Sequence, residues 1–226
     1  MRRLAVSGWD TRSPAGTRAT RGWSGVRRKG RARRSGRNSW RAGRRARGSR
    51  RTSRTPERVF AEAESRLGAV TALVLCHCES VDSGLLDTTV ESFDRHFAVN
   101  ARGSRLMVRE FGRRFRGPHG SGRIVALTSD DTAGNLPYGA SKGALDRITL
   151  AAARELAGLG VTANVVNPGP VDTGGCRGRR WEHVRAATPL GRLGTPDDTA
   201  HLADFLCSPR GQWVNGQVLM SNGGFA

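Results

Sequence analysis

The sequence predicts an α/β domain built on a parallel sheet, and three observations carry that expectation. Apolar runs at residues 70–76, 123–128 and 161–166 have the length and composition of strands buried on both faces. Helical stretches separate them, so the order is strand, helix, strand repeated, which a parallel sheet covered by helices accommodates. Residues suited to helix ends stand where those stretches begin and stop.

In chain order, Pro56 opens a helix over 56–67 and Gly68 closes it. The first strand follows at 70–76. Helical stretches at 89–99 and 102–116 come next, the second with Leu106, Val108 and Phe111 as apolar positions, and Gly120 and Gly122 break it. A strand at 123–128, a long helix at 137–159 and a strand at 161–166 complete the repeat. Thr195-Pro196-Asp197-Asp198 supplies an oxygen cap, a first-turn proline and acids on the positive pole of a helix over 197–207. A last strand at 216–220 precedes Gly223-Gly224.

Composition divides the chain. The 226 residues carry a formal charge of +19. Residues 1–55 hold 19 Lys or Arg and one acid, Asp10, while the remainder holds 19 basic and 18 acidic groups. The first 55 residues show no period of two or 3.6, so they read as Arg/Gly-rich, low-complexity and disordered, with 56–226 as the folded domain. Two lysines against 36 arginines point to a GC-rich coding sequence, and Arg, Gly and Ala are what such a gene yields in a wrong frame. A mis-framed start and a basic arm that contacts phosphates both fit the segment. It contains no apolar run longer than Leu4-Ala5-Val6, so neither a signal peptide nor a membrane span is expected, and the reading is cytoplasmic. The four cysteines, Cys76, Cys78, Cys176 and Cys207, suit reduced thiols, and Cys76-His77-Cys78 alone closes no tetrahedral metal cage. No metal is expected.

Tyr138, the only tyrosine, stands four residues before Lys142 near the start of the long helix, and one helical turn puts both on one face. Hydride reduction of a carbonyl needs an acid for the developing alkoxide, and a phenol of ordinary pKa about 10 is a poor match to neutral pH. A neighbouring ammonium is expected to lower it. Ser129, just past the strand at 123–128, is placed to hydrogen-bond a substrate oxygen, and Asn100 to hold a water that relays protons to the lysine.

The order and spacing of these blocks resemble the short-chain dehydrogenases/reductases, especially members similar to 3-oxoacyl-carrier-protein reductases. The resemblance rests on Val99-Asn100-Ala101, Ile124-Val125-Ala126-Leu127-Thr128-Ser129, Tyr138-Gly139-Ala140-Ser141-Lys142, Asn167-Pro168-Gly169-Pro170-Val171-Asp172-Thr173, Pro189-Leu190-Gly191-Arg192 and the closing strand before Gly223-Gly224. It implies a Rossmann-like doubly wound sheet and a catalytic tetrad of Asn100, Ser129, Tyr138 and Lys142. It also implies an NAD or NADP cofactor of open preference, held by Asn100, Tyr138, Lys142, Pro168, Gly169, Val171 and Thr173. A small carbonyl or alcohol substrate and a homo-oligomer follow from the same likeness, and nucleic acid is not an expected partner.

The resemblance covers about residues 56–226. The family's opening strand and Thr-Gly-x-x-x-Gly-x-Gly turn, which cradles pyrophosphate, are not recognisable. Ser24-Gly25 with Gly30 is a faint echo in the wrong context. Where the family has Asn-Asn-Ala-Gly, this chain has Cys76-His77-Cys78-Glu79, and the nine-residue step from Ser129 to Tyr138 is short, which makes Thr128 and Thr132 stand-ins for the serine. With its N-terminal strands missing, the strand at 70–76 is expected to form an exposed apolar edge. Two further readings are a catalytically silent relative unable to bind dinucleotide and a nucleic-acid binder acting through its basic arm.

Overall fold

The computed structural model describes residues 3–6, 55–174 and 178–225. Among them a five-stranded sheet runs β1 (Arg3–Val6), β2 (Ala72–Leu75), β3 (Gly122–Leu127), β4 (Val161–Asn167) and β5 (Val218–Met220), with strands neighbouring in chain order. Every pairing is parallel. The helices are α1 (Pro56–Leu67), α2 (Val90–His96), α3 (Ser104–Arg114), α4 (Leu136–Glu155), α5 (Arg179–Ala187) and α6 (Pro196–Leu206). A π-helical segment, Phe97–Gly103, joins α2 to α3 without a break.

Alternate strand residues serve two cores, as a two-sided sheet requires. Leu73, Leu75, Ile124 and Ala126 pack under Phe60 of α1, Phe111 of α3 and Leu145 of α4. Ala72, Val125 and Val166 face Leu206 of α6 and Cys207 on the other side. Helices on both faces of an all-parallel sheet make the fold the doubly wound α/β class that the sequence predicts. α1 begins at Pro56 and ends at Gly68, whose φ of 70° suits glycine. α6 has a full capping box: the Thr195 hydroxyl accepts from Asp198 N, and the Asp198 carboxylate accepts from Thr195 N. β5 is tied to the sheet partly through side chains, because Asn164 accepts from Gln217 N at 3.0 Å and donates to Val214 O at 2.7 Å.

One sequence expectation is corrected. β2 is not an open edge: Arg3–Val6 pairs with it, Leu4 level with Leu73, so N-terminal strand structure is not wholly missing. Four residues among arginines are too few to show a period, yet a parallel ladder uses only their backbone. Between β4 and α6 the described residues also include α5. Residues 7–54, where the remaining expectations about a disordered arm fall, lie outside the described residues. No helix among the described residues is long and apolar enough to cross a membrane.

Candidate active site

The carboxyl ends of parallel strands are where such sheets place their ligand crevices, and the predicted pair stands there. Tyr138 and Lys142 are one turn apart on α4. Lys142 is buried and its Nζ donates to Leu127 O at 2.9 Å, the last residue of β3. The same Nζ is 5.6 Å from the centroid of the Tyr138 ring. Ser129, two residues past β3, is near enough to the Tyr138 phenol to influence its ionisation, and its side chain accepts from Asp131 N at 3.2 Å. The short spacing therefore brings Ser129 to the tyrosine. Thr128 Oγ1 instead donates to Lys142 O at 3.5 Å, and Thr132 donates to Asp130 O at 3.1 Å. A cavity of about 310 Å³ adjoins these groups, lined by Ser129, Thr128, Gly139, Asp146 and Asn167 among others.

Burial decides the titration of the pair. It pushes the Tyr138 phenol well above its ordinary range, reinforced by the nearby Cys78 and opposed by the Ser129 hydrogen bond. The expected lowering of the phenol is thus reversed in this structure: desolvation of the half-buried ring is the largest cause of its shift, and the Lys142 ammonium is bonded to Leu127. Burial also lowers Lys142, while Cys78, Cys76 and Asp146 pull it back up.

Asn100 lies in the π-helical segment and is fully buried. Its Oδ1 accepts from Glu79 N at 2.7 Å, and its Nδ2 donates to Glu79 O at 2.9 Å and to Ser141 Oγ at 2.8 Å. Ser141 in turn donates to Tyr138 O at 2.8 Å. The Asn100 side chain thus bonds to a loop and to α4. Its neighbours extend the pattern. His77 meets Ser104 Oγ at 3.2 Å, and Val81 N donates to His96 Nε2 at 3.1 Å. Residues 77, 79 and 81 of the loop therefore seat on 104, 100 and 96 of the helix. Two residues of extended chain advance about 6.6 Å and four of a helix about 6 Å, so the two periods match. His96, Ser104 and Ser141 were not among the predicted site residues; the four-residue spacing of 96, 100 and 104 was the signal for the first two.

The Pro168-Gly169-Pro170 segment leaves β4 directly. Asn167 Oδ1 accepts from Gly169 N at 3.0 Å, and Gly169 has φ 61° with its Cα pressed on Asn222, where a Cβ would come within 2.4 Å. Val171 bridges to Gly194, and Asp172 N donates to Gly194 O at 2.8 Å, which fixes the path out of the sheet. Thr173 follows on the exposed surface, and residues 175–177 lie outside the described residues. So does the Ser24-Gly25 echo.

An all-parallel sheet with a paired Tyr and Lys on the helix after its third strand defines a class, and comparison with known proteins agrees. A family model described as enoyl-(acyl carrier protein) reductase matches residues 51–226. The chain belongs to the short-chain dehydrogenase/reductase family. It is 37% identical over 172 residues to the uncharacterized oxidoreductase YjdA of Bacillus subtilis, covering 74% of this chain and 68% of that protein. It is 40% identical over 149 residues to an NADPH-dependent aldehyde reductase-like protein, chloroplastic, of Arabidopsis thaliana, covering 62% of this chain and 55% of that protein. Among solved structures, a blue fluorescent protein from a metagenomic library, in complex with NADPH, superposes with a TM-score of 0.69 at 31% identity, covering 76% of this chain and 71% of that one.

Proposed function

We propose that the chain is an NAD(P)-dependent oxidoreductase that interconverts a small carbonyl compound and its alcohol, with Tyr138 as the acid/base group. The observation that carries this reading is the placement of Tyr138 over the buried Lys142, Nζ 5.6 Å from the ring centroid, at the end of the strand that Ser129 follows. A bound nicotinamide would supply the hydride. Ser129 and Tyr138 then hold the substrate oxygen between two hydroxyls, and the phenol proton moves to that oxygen as charge develops on it. The raised phenol pKa keeps that proton in place across neutral pH.

Lys142 suits the ribose of such a cofactor. An ammonium has three donors, one of which is given to Leu127 O. Asn100 acts through backbone, holding the Cys76-His77-Cys78-Glu79 loop beside the site and, through Ser141, the first turn of α4. Pro168, Gly169, Val171 and Thr173 leave the adjacent strand and would flank the carboxamide. The donor set thus fits the nicotinamide half; residues that would cradle the pyrophosphate fall outside those described. An NADPH-dependent relative and an NADPH-bound structural neighbour favour NADPH as the first dinucleotide to try.

The test is NADPH titration by fluorescence followed by turnover of small aldehydes. Tyr138→Phe should lose about a hundredfold or more in kcat while NADPH affinity changes little. Undiminished turnover in that variant would overturn the assignment.

A further inference from the structure

α4 carries glycine at two successive turns, Gly139 and Gly143, and the two meet different surroundings. Both have helical backbone, where alanine is the better helix former. A Cβ on Gly143 would stand in open space. On Gly139 it would lie 2.6 Å from Asp131 O, 2.7 Å from Thr132 Oγ1 and 3.0 Å from Thr132 Cα. The first and last of these are backbone atoms and cannot swing aside. The turn after β3 therefore occupies the space that a side chain at 139 would need. That turn is braced by its own hydrogen bonds: Asp131 N donates to Ser129 Oγ at 3.2 Å, Thr132 Oγ1 to Asp130 O at 3.1 Å, and Asn135 N to Thr132 O at 3.1 Å. Asp131 thus joins two surfaces, its carbonyl pressed on Gly139 and its N–H holding the Ser129 hydroxyl oxygen. A hydroxyl has one proton and two acceptor sites, so accepting from Asp131 leaves the Ser129 proton to be donated.

We propose that Gly139 is a positioning residue: by leaving room for the Asp131 carbonyl against α4, it fixes the Ser129 hydroxyl beside Tyr138. This role rests on the acid/base function proposed above and adds what sets the separation of its two hydroxyls. α4 begins at Leu136, so only residues 130–135 connect Ser129 to the helix that carries Tyr138. So short a connection, closed on itself by hydrogen bonds, has little slack, and a displacement at 131–132 passes to Ser129. With alanine at 139 the Asp131 carbonyl has to withdraw by about 0.8 Å to reach ordinary contact at 3.4 Å. Asp131 and Thr132 are exposed, so the turn can move outward while the helix stays folded. A misplacement on the order of 1 Å at a reacting group costs up to about a hundredfold in rate.

The experiment follows reduction of a small aldehyde by NADPH in the full-length wild type, Gly139→Ala, Gly143→Ala, Ser129→Ala and the double variant of Gly139→Ala with Ser129→Ala, with circular dichroism as the check on folding. Gly139→Ala should lower kcat by about ten- to a hundredfold and leave NADPH binding, read by fluorescence, unchanged. Gly143→Ala should keep wild-type turnover, since its Cβ meets nothing. In the Ser129→Ala background Gly139→Ala should cost nothing more, because the group it positions is already gone. The Asp131 amide reports on the same contact without turnover: its hydrogen exchange, followed by NMR, should quicken about fivefold in Gly139→Ala and in Ser129→Ala alike. Wild-type kcat in Gly139→Ala, losses that multiply in the double variant, or unaltered exchange at Asp131 would overturn the proposal. If Gly139→Ala does not fold, Thr132→Ala, which loosens the turn without touching α4, takes its place: a lowered kcat there supports the positioning role and a wild-type value removes it. If the wild type reduces no aldehyde, it is the functional reading that fails, and exchange at Asp131 still decides whether Gly139 places Ser129.

Discussion

Asn100 and Glu79 form a two-point clamp: the amide of one binds both backbone groups of the other, at 2.7 and 2.9 Å, where neither side chain reaches solvent freely. Removing the amide strands a buried N–H and a buried C=O together. Asn100→Ala should therefore cost about 2–4 kcal/mol in urea denaturation. Ser104→Ala, which removes one partner at 3.2 Å, should cost less. A loss below that of Ser104→Ala would show that the clamp does not hold the loop.

The single tyrosine makes its ionisation readable by ultraviolet difference absorption. Because burial raises the folded pKa, phenolate should develop at higher pH than in the unfolded chain, whose value is about 10. The sign for stability follows: the folded state retains the proton more tightly, so stability falls as pH rises above that unfolded value. Ser129→Ala removes the one interaction that lowers the pKa and should move the phenolate transition further up. A shift downward would mean that Ser129 does not donate to the phenol.

Much of this arrangement is legible in the sequence, for identifiable reasons. β3, β4 and α4 declare themselves because their apolar runs and caps are longer than one period, and Tyr138 and Lys142 need only the helix between them to fall on one face. β1 does not declare itself, since Arg3–Val6 gains its place from backbone pairing with β2 and not from a pattern of its own. The π-helical segment is equally hidden: Phe97–Gly103 keeps helical composition while changing its hydrogen-bond step. The phenol's raised pKa could not be anticipated from spacing, because it depends on how deeply the α4 start is buried.

Lys142 combines a buried charge with a single backbone acceptor, Leu127 O. Lys142→Met should keep the fold, since an apolar chain of similar length fills the same space without a charge to desolvate. Turnover should fall by about two to four orders of magnitude if the ammonium assists proton transfer and ribose binding. Lys142→Arg should not rescue it, because the planar guanidinium does not reproduce a compact ammonium in that space. Kinetics of the two variants beside circular dichroism separate loss of function from loss of fold.

At the start of α6, Asp198 serves two partners at once, accepting from Arg192 at 2.7 and 3.0 Å and from Thr195 N at 2.7 Å. These contacts hold its carboxyl far below the usual carboxylate range, the Arg192 hydrogen bonds being the largest cause. A depressed folded pKa stabilises the fold above the unfolded value of about 4 and loses that contribution as pH falls through the folded pKa. The difference in urea midpoint between wild type and Asp198→Asn should therefore be present at neutral pH and shrink in acid. Thr195→Ala, which removes the cap oxygen, should cost about 1 kcal/mol at neutral pH.

Gly169 is held by two independent demands. Its φ of 61° disfavours any side chain, and a Cβ there would lie 2.4 Å from Asn222 Cβ, on the segment that follows β5. Neither contact yields by rotating a flexible side-chain end, because Cβ is fixed by the backbone. Gly169→Ala should therefore displace either the Pro168-Gly169-Pro170 turn or the 221–225 tail, and lower stability by about 1–3 kcal/mol. If Val171 and Thr173 flank the carboxamide as proposed, the same variant should raise the NADPH dissociation constant more than it lowers kcat, since Tyr138 and Lys142 are carried by α4 and not by this turn. Equal stability and equal NADPH affinity in Gly169→Ala would show that the segment adapts, and would remove it from the cofactor site.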